Sequence, residues 1–285
     1  MIKKYFVVSD IHSFYSSLKL SLKRVGFDKD NPSHYLIVCG DVFDRGPGTI
    51  KVYNFLKSMP KERCVLIRGN HEFLYLDLLE KNYPEEHDFS NGTVRSFCQI
   101  AGFGDDSAWD LETGFFSFLT GKTIMPDYQE LWDTIKRKVK ESPVTEWLKS
   151  DQWINFYEVD KYIFVHSFIP LEHSCQSDFD AKYMLYSGWT EFFSYREDWR
   201  QASLEEWENA SWTRPYSFLD KGFLDKEKEK GKILVCGHRS TSEYNLHYKG
   251  EKNNYDIYKG DGLIAIDGTV AFSSQLNVFT FEVDE

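Results

Sequence analysis

No apolar run in the 285-residue sequence approaches the eighteen residues of a membrane span. The stretch from Met1 to Asp10 is also too short in apolar residues for a signal-peptide core. Positive charge is scarce: 34 lysines and arginines face 45 aspartates and glutamates, a net charge of −11. Proteins that coat nucleic acid draw affinity from Lys and Arg on phosphates, so that class is excluded. A small phosphate-bearing substrate is not, because bound metal ions can reverse the local field. Cysteines number five, an odd count, and Cys39, Cys64 and Cys236 sit in apolar runs. Free buried thiols in a reducing cytoplasm are expected, not a disulfide framework. Internal repeats, proline–glycine linkers, low-complexity tracts and a Gly-rich phosphate loop are all missing. At 41% hydrophobic and 28% charged the composition is that of a folded domain, long enough to bury its own core.

A pattern emerges when the apolar runs are aligned at their C-terminal ends. Lys4–Val8 leads into Ser9-Asp10-Ile11-His12, and His34–Cys39 into Gly40-Asp41-Val42-Phe43-Asp44-Arg45-Gly46. Cys64–Ile67 leads into Arg68-Gly69-Asn70-His71-Glu72, Tyr162–Val165 into His166, and Ile233–Cys236 into Gly237-His238. Short continuous β-branched and aromatic runs predict strands covered on both faces. Helical spacing at Leu18, Leu22 and Val25, and over Thr49–Met59, predicts strand-helix-strand units between the first three. In such sheets ligands bind outside the carboxyl ends of the strands.

Taken singly, an Asp after a strand is commonly a helix cap and a Gly-Asp pair a turn. Five strand ends carrying DxH, GDxxDRG, GNHE, His and GH together predict a metal site. Asp, His and one amide oxygen suit borderline transition metals such as Mn, Fe or Zn. Six ligands with one shared carboxylate suffice for two ions about 3.5–4 Å apart, which would supply hydroxide at neutral pH and clamp an oxyanion.

These motifs resemble the calcineurin-like metallophosphoesterases, with the GDxxDRG and GNHE forms of the phosphoprotein-phosphatase branch, and the matching elements run from Tyr5 to Val283. The resemblance implies an α/β fold, a four-layer αββα sandwich, as one domain over residues 1–285. It implies that Asp10 and His12 bind a first metal, Asp41 bridges, and Asn70, His166 and His238 bind a second. It further implies His71 as general acid oriented by Asp44, Arg45 as phosphoryl ligand, and Arg214, after Trp212, as a second substrate arginine. Two divalent ions, foremost Mn²⁺, are the implied cofactors. Ser167-Phe168 and Arg239-Ser240 depart from the family's usual Gly/Ala and from the GHxH of other branches.

Two stretches, about residues 84–160 and 176–231, exceed what a crossover needs and are read as helical additions beside the site. Their tryptophans read as core. Asn91-Gly92-Thr93 is similar to a turn in bacterial relatives, and Gly262–Val283 to a closing hairpin around Asp267-Gly268. Arg68 is expected to pair with a carboxylate, and Lys226–Lys232 to form a solvated face. The expected function is a serine/threonine-phosphatase-like phosphomonoesterase using a metal-bridging hydroxide. A symmetrical bis(5'-nucleosyl)-tetraphosphatase is the alternative, and a catalytically silent phosphate-binding scaffold the third reading. The expected partner is a phosphorylated protein or nucleotide, with no nucleic acid and no membrane. An aspartyl nucleophile at Asp10 is rejected, because that chemistry needs an acid where His12 stands.

Overall fold

Strands form where the β-branched and aromatic runs lie, because such side chains pack well on a pleated surface covered from both sides. The computed structural model describes residues 2–119, 126–175, 177–219 and 229–284. Its first strands are β1 (Ile2–Val8), β2 (His34–Cys39), β3 (Cys64–Ile67), β4 (Trp153–Ile154), β5 (Phe156–Val159) and β6 (Tyr162–Val165). The later strands are β7 (Leu171–His173), β8 (Phe193–Tyr195), β9 (Ile233–Cys236), β10 (Tyr258–Gly260), β11 (Leu263–Ala265) and β12 (Phe279–Asp284). One five-stranded sheet has the order β12-β1-β2-β3-β4 and the other β10-β11-β9-β6-β5, while β7 and β8 pair separately. The site-bearing strands are parallel: Val8 lies opposite Val38, and Cys39 opposite Ile67. In the second sheet β6 runs parallel to β9, and β9 to β11.

Period-two alternation divides each strand between layers. Phe6, Val8, Leu36 and Val38 face an outer core, while Tyr5, Val7, Ile37 and Cys39 face an inner one. The second sheet does the same, with Phe164, Val235 and Ile264 inward and Ile163, Leu234 and Leu263 outward. The inner layer is therefore a sheet-on-sheet core. Helices cover the outer face of the first sheet: α1 (Tyr15–Arg24), α2 (Thr49–Lys57), α3 (Asn70–Glu80), α4 (Glu86–Ser90), α5 (Thr93–Ile100), α6 (Asp105–Leu119), α7 (Pro126–Lys140) and α8 (Pro143–Leu148). The second carries α9 (Asp178–Ser187), α10 (Leu204–Ala210), α11 (Pro215–Leu219) and α12 (Thr241–Lys249), and α13 (Val270–Ser273) joins β11 to β12. The result is the αββα sandwich. Among the described residues no helix is long and apolar enough to cross a membrane.

Four expectations need correction. Gly262–Val283 is not a hairpin: β11 pairs with β9 and β10, whereas β12 crosses to the first sheet and pairs with β1. Ile264, Ile266 and Phe281 belong to the inner core and Leu276 and Val278 to the outer one, which is why their apolar pattern imitates paired strands. The first addition ends with α8, because Trp153–Ile154 and Phe156–Val159 belong to the two sheets. The second addition is not wholly helical, since it contributes β8. The basic run is also not all solvated. Lys226 lies outside the described residues, and Glu229 is fully buried. Its carboxylate accepts bonds from Arg200 Nη1 (2.9 Å), Trp199 Nε1 (2.8 Å) and the Tyr195 hydroxyl (2.9 Å). Arg200 also grips Glu158 of β5, tying the addition to the second sheet. Trp132, Trp147, Trp153, Trp199 and Trp207 are core, as expected, whereas Trp109 and Trp189 are exposed.

Candidate metal centre

Each turn after a site strand must reverse quickly and aim a polar side chain back at the sheet edge. The backbone shows the strain of this: Asp10, His12, Asp41, Asp44, Arg45 and His238 all have positive φ. Such conformations are uncommon outside glycine and gather where a site is over-determined by its surroundings. Close approach also demands glycine, since a Cβ at Gly69 would fall on Asp41 Oδ1 and one at Gly237 on Asp10 Oδ2.

The six expected ligands converge from both sheets and all but the half-buried His238 are buried. Asp41 stands at the centre, with Oδ2 3.7 Å from His12 Nε2 and Oδ1 3.4 Å from His166 Nε2. Asn70 Oδ1 lies 2.8 Å from His166 Nε2 and 3.0 Å from His238 Nδ1. Asp10 Oδ1 is 3.9 Å from His12 Nε2, and its Oδ2 accepts the His238 backbone N–H at 2.9 Å. Two donor groups, His12–Asp41–His71 and Asp41–His166–His238, share Asp41. His71 thus reaches the first group, with Nε2 3.9 Å from Asp41 Oδ2.

The donor set fits divalent transition metals. His12 Nδ1 is 3.0 Å from the Phe43 carbonyl and His166 Nδ1 2.8 Å from that of Cys39. Those bonds place the proton on Nδ1 and leave the Nε2 lone pairs facing Asp41, the arrangement that orients ligating imidazoles. His238 Nε2 is buried with no hydrogen-bond partner. Burial, with Arg45 and neighbouring histidines, holds His12 well below its ordinary pKa, so the imidazole is neutral and ligand-competent. Burial, then Asp10 and Glu72, pushes the Asp41 carboxyl well up, a load that nearby dications would relieve.

Beside this cluster, His71 Nδ1 lies 2.6 Å from Asp44 Oδ2, and Arg45 Nη2 donates to His71 Nε2 at 3.3 Å. Arg214 has no hydrogen bond to this cluster among the described residues. Its guanidinium lies 5.7 Å from the Tyr216 ring, and among the described residues no carboxylate pairs with it. Its neighbours do approach the cluster: Trp212 packs edge-on to His238 at 6.1 Å, and Ser167 Oγ donates to the Thr213 carbonyl at 2.5 Å. Arg68 Nη1 donates to the Trp153 carbonyl at 2.7 Å, with no ion pair among the described residues, although Glu72 acts on it electrostatically.

Sequence reasoning passed over the residues that hold this arrangement. Glu72, third residue of α3, accepts the backbone N–H groups of Asp41 (2.9 Å), Val42 (2.9 Å) and Gly69 (2.7 Å), locking two site loops together. Its position in GNHE was the available signal. Thr93 Oγ1 and Ser96 Oγ donate to Asp44 at 2.9 and 2.8 Å. Gly92 has φ +86°, and a Cβ there would strike the Arg45 backbone, so Asn91-Gly92-Thr93 is the seat under Asp44 and Arg45. Buried Asp267 accepts the Thr269 N–H at 2.6 Å.

The calcineurin-like phosphoesterase family matches residues 3–266. The symmetrical bis(5'-nucleosyl)-tetraphosphatase of Hamiltonella defensa subsp. Acyrthosiphon pisum (strain 5AT) is 32% identical over 85 residues, 29% of this chain and 30% of that protein. Shewanella-like protein phosphatase 1 of Plasmodium berghei (strain Anka) is 39% identical over 84 residues, 26% of this chain and 23% of that protein. The matched stretch thus spans less than a third of either relative. Among solved structures, the cold-active protein-tyrosine phosphatase of a psychrophile, Shewanella sp., superposes with a TM-score of 0.51 at 17% identity, covering 98% of this chain and 75% of that one. That likeness shows a shared fold. With the family matched over most of its length and the sandwich in place, the chain belongs to the calcineurin-like phosphoesterases.

Proposed function

We propose that the protein is a dinuclear-metal phosphoester hydrolase of the phosphoprotein-phosphatase type. The observation that carries this is Asp41, common to two donor groups beside the His71–Asp44 pair. Asp10, His12 and Asp41 would hold one divalent ion, and Asp41, Asn70, His166 and His238 the other. Manganese is the proposed ion, with iron or zinc also matching the mixed donors. When bound, such ions supply Lewis acidity and a water acidified toward a pKa of about 7.

The chain's own residues manage charge and protons. In the free site Arg45 donates to His71 Nε2, the atom that must carry a proton to a leaving oxygen. Phosphoryl oxygens accept the Arg45 fork instead, which releases Nε2 for protonation. Asp44 accepts from Nδ1 and fixes the ring's tautomer and aim. Arg214, whose Nε is buried without a partner, is the second anion contact in this reading.

Phosphothreonine peptide and diadenosine tetraphosphate, offered to manganese-loaded protein, test the reading by released phosphate or ADP. Asp41→Asn should lower either rate by about 10³-fold, some 4 kcal/mol of barrier. Full activity in that variant would overturn the shared-carboxylate role. Bound metal with no turnover of any phosphoester would instead support a silent phosphate-binding protein.

A further inference from the structure

A cavity of about 460 Å³ opens beside Arg45, lined also by Arg95, Trp109, Glu112, Phe89 and Phe272. Its size falls within the range of small-ligand sites. Two of its walls are large rings left in solvent: Trp109 is 70% exposed and Phe272 81%. Single exposed hydrophobics are ordinary, but two converging on one cavity with two guanidinium groups are a built surface. Trp109 and Glu112 are three residues apart on α6 and share a face. Phe272 comes from α13, the link that carries the chain between the two sheets. Arg95 Nη1 donates to the Arg45 carbonyl at 2.8 Å, bracing that residue's positive-φ backbone from the cavity side.

The position relative to the chemistry is what gives the cavity a role. Arg45 touches His71 Nε2 on one side and lines the cavity on the other. If His71 protonates the leaving oxygen, as proposed above, the leaving group departs on this side. We propose that the cavity is a nucleobase subsite, so that the substrate's leaving portion is a nucleoside phosphate. Arg45 and Arg95 take the phosphate chain, the Trp109 and Phe272 faces take the base, and Glu112 accepts from an exocyclic amine. Every base has a π-face, so stacking needs flat rings and not a matched hydrogen-bond code. A phosphoserine or phosphothreonine peptide would use the guanidinium groups but gives the paired rings nothing flat to stack on.

The test is binding to metal-loaded full-length protein, measured by titration calorimetry with ADP and with ring-free pyrophosphate. The ratio of the two affinities isolates the base. Trp109→Ala and Phe272→Ala should each reduce the ADP preference at least about fivefold, the low end for one stacked base. Trp109→Phe should keep most of it, and Trp189→Ala, which removes an exposed tryptophan elsewhere, should leave it unchanged. An unaltered ratio in both alanine variants would overturn the subsite. So would a phosphothreonine peptide that binds more tightly than ADP and weakens in the same variants. Failure of wild-type protein to bind pyrophosphate would defeat the phosphate-site reading itself, a result distinct from loss of base preference alone.

Discussion

Two buried glutamates, one under each sheet's loops, behave in opposite ways. Burial lifts the Glu72 carboxyl to about 7 even though three backbone N–H groups point at it. Burial opposes ionisation of Glu229 as well, yet bonds from Arg200, Trp199 and Tyr195 outweigh it and hold that carboxyl below its usual range. Glu229 is thus a charge with a countercharge, anchoring an addition to the second sheet. Glu72 organises backbone in the first and, among the described residues, has no hydrogen-bonded cation. The division extends to the site: the first sheet's loops carry Asp10, His12, Asp41, Asp44, Arg45, Asn70 and His71, while the second adds the two expected ligands His166 and His238 and, in its addition, the proposed anion contact Arg214. Chemistry is concentrated where the backbone is most strained, and the second sheet completes the ligand set.

If that division is right, the deepest loss of rate comes from the first sheet. His71→Asn should reduce turnover of alkyl phosphates by about 10²–10⁴-fold with metal content unchanged. The loss should shrink for good leaving groups; an equal loss on all substrates would remove the general-acid role. Glu72→Ala strands three buried donors and should cost about 3 kcal/mol of unfolding free energy, read from urea melts. It should impair activity too, because Asp41 and Gly69 hang on the same carboxylate. Glu229→Gln should cost about 1–2 kcal/mol, since Arg200 is partly exposed and its pairing partly screened. Its rate should stay within about twofold; a larger fall would mean that the Glu229 anchor also steadies the part of the addition that carries Arg214.

The finest discrimination is in pH. Burial raises Asp44 to about 7, and bonds from Ser96 and Thr93 pull it back. Thr93→Val removes one of them, so the carboxyl should hold its proton to higher pH. The acid limb of the kcat/KM profile should then move up by about half a unit. The same raised value sets a sign for metal-free protein. Between about 4 and 7 the folded Asp44 keeps a proton that the unfolded chain releases, so the native state loses stability as pH rises through that window. Chelated protein whose melting temperature climbed across that range would contradict the buried, proton-holding Asp44.

Strand ends could be read directly, because an uninterrupted apolar run leading into Asp, Asn or His is local information. The runs themselves pointed only to buried strands in strand-helix-strand units; the four layers followed from the family resemblance, and alternate residues of each strand face the two cores. Glu72, Ser96 and Thr93 act on residues far along the chain, and no spacing rule connects Ser96 to Asp44. The false hairpin has the same origin. Ile264 and Phe279 are apolar because they share the inner core, and composition does not distinguish a neighbour in the same sheet from one across a layer.

The pairing of β1 with β12 has a consequence for synthesis. The strand that leads to Asp10 and His12 leaves the ribosome some 270 residues ahead of its outer partner, Phe279–Asp284. Until then β1 is an open edge, rich in Tyr, Phe and Val, of the kind that recruits foreign strands. A growing chain therefore carries an aggregation-prone surface through the synthesis of both sheets, and the arrival of Phe279–Asp284 is what covers it.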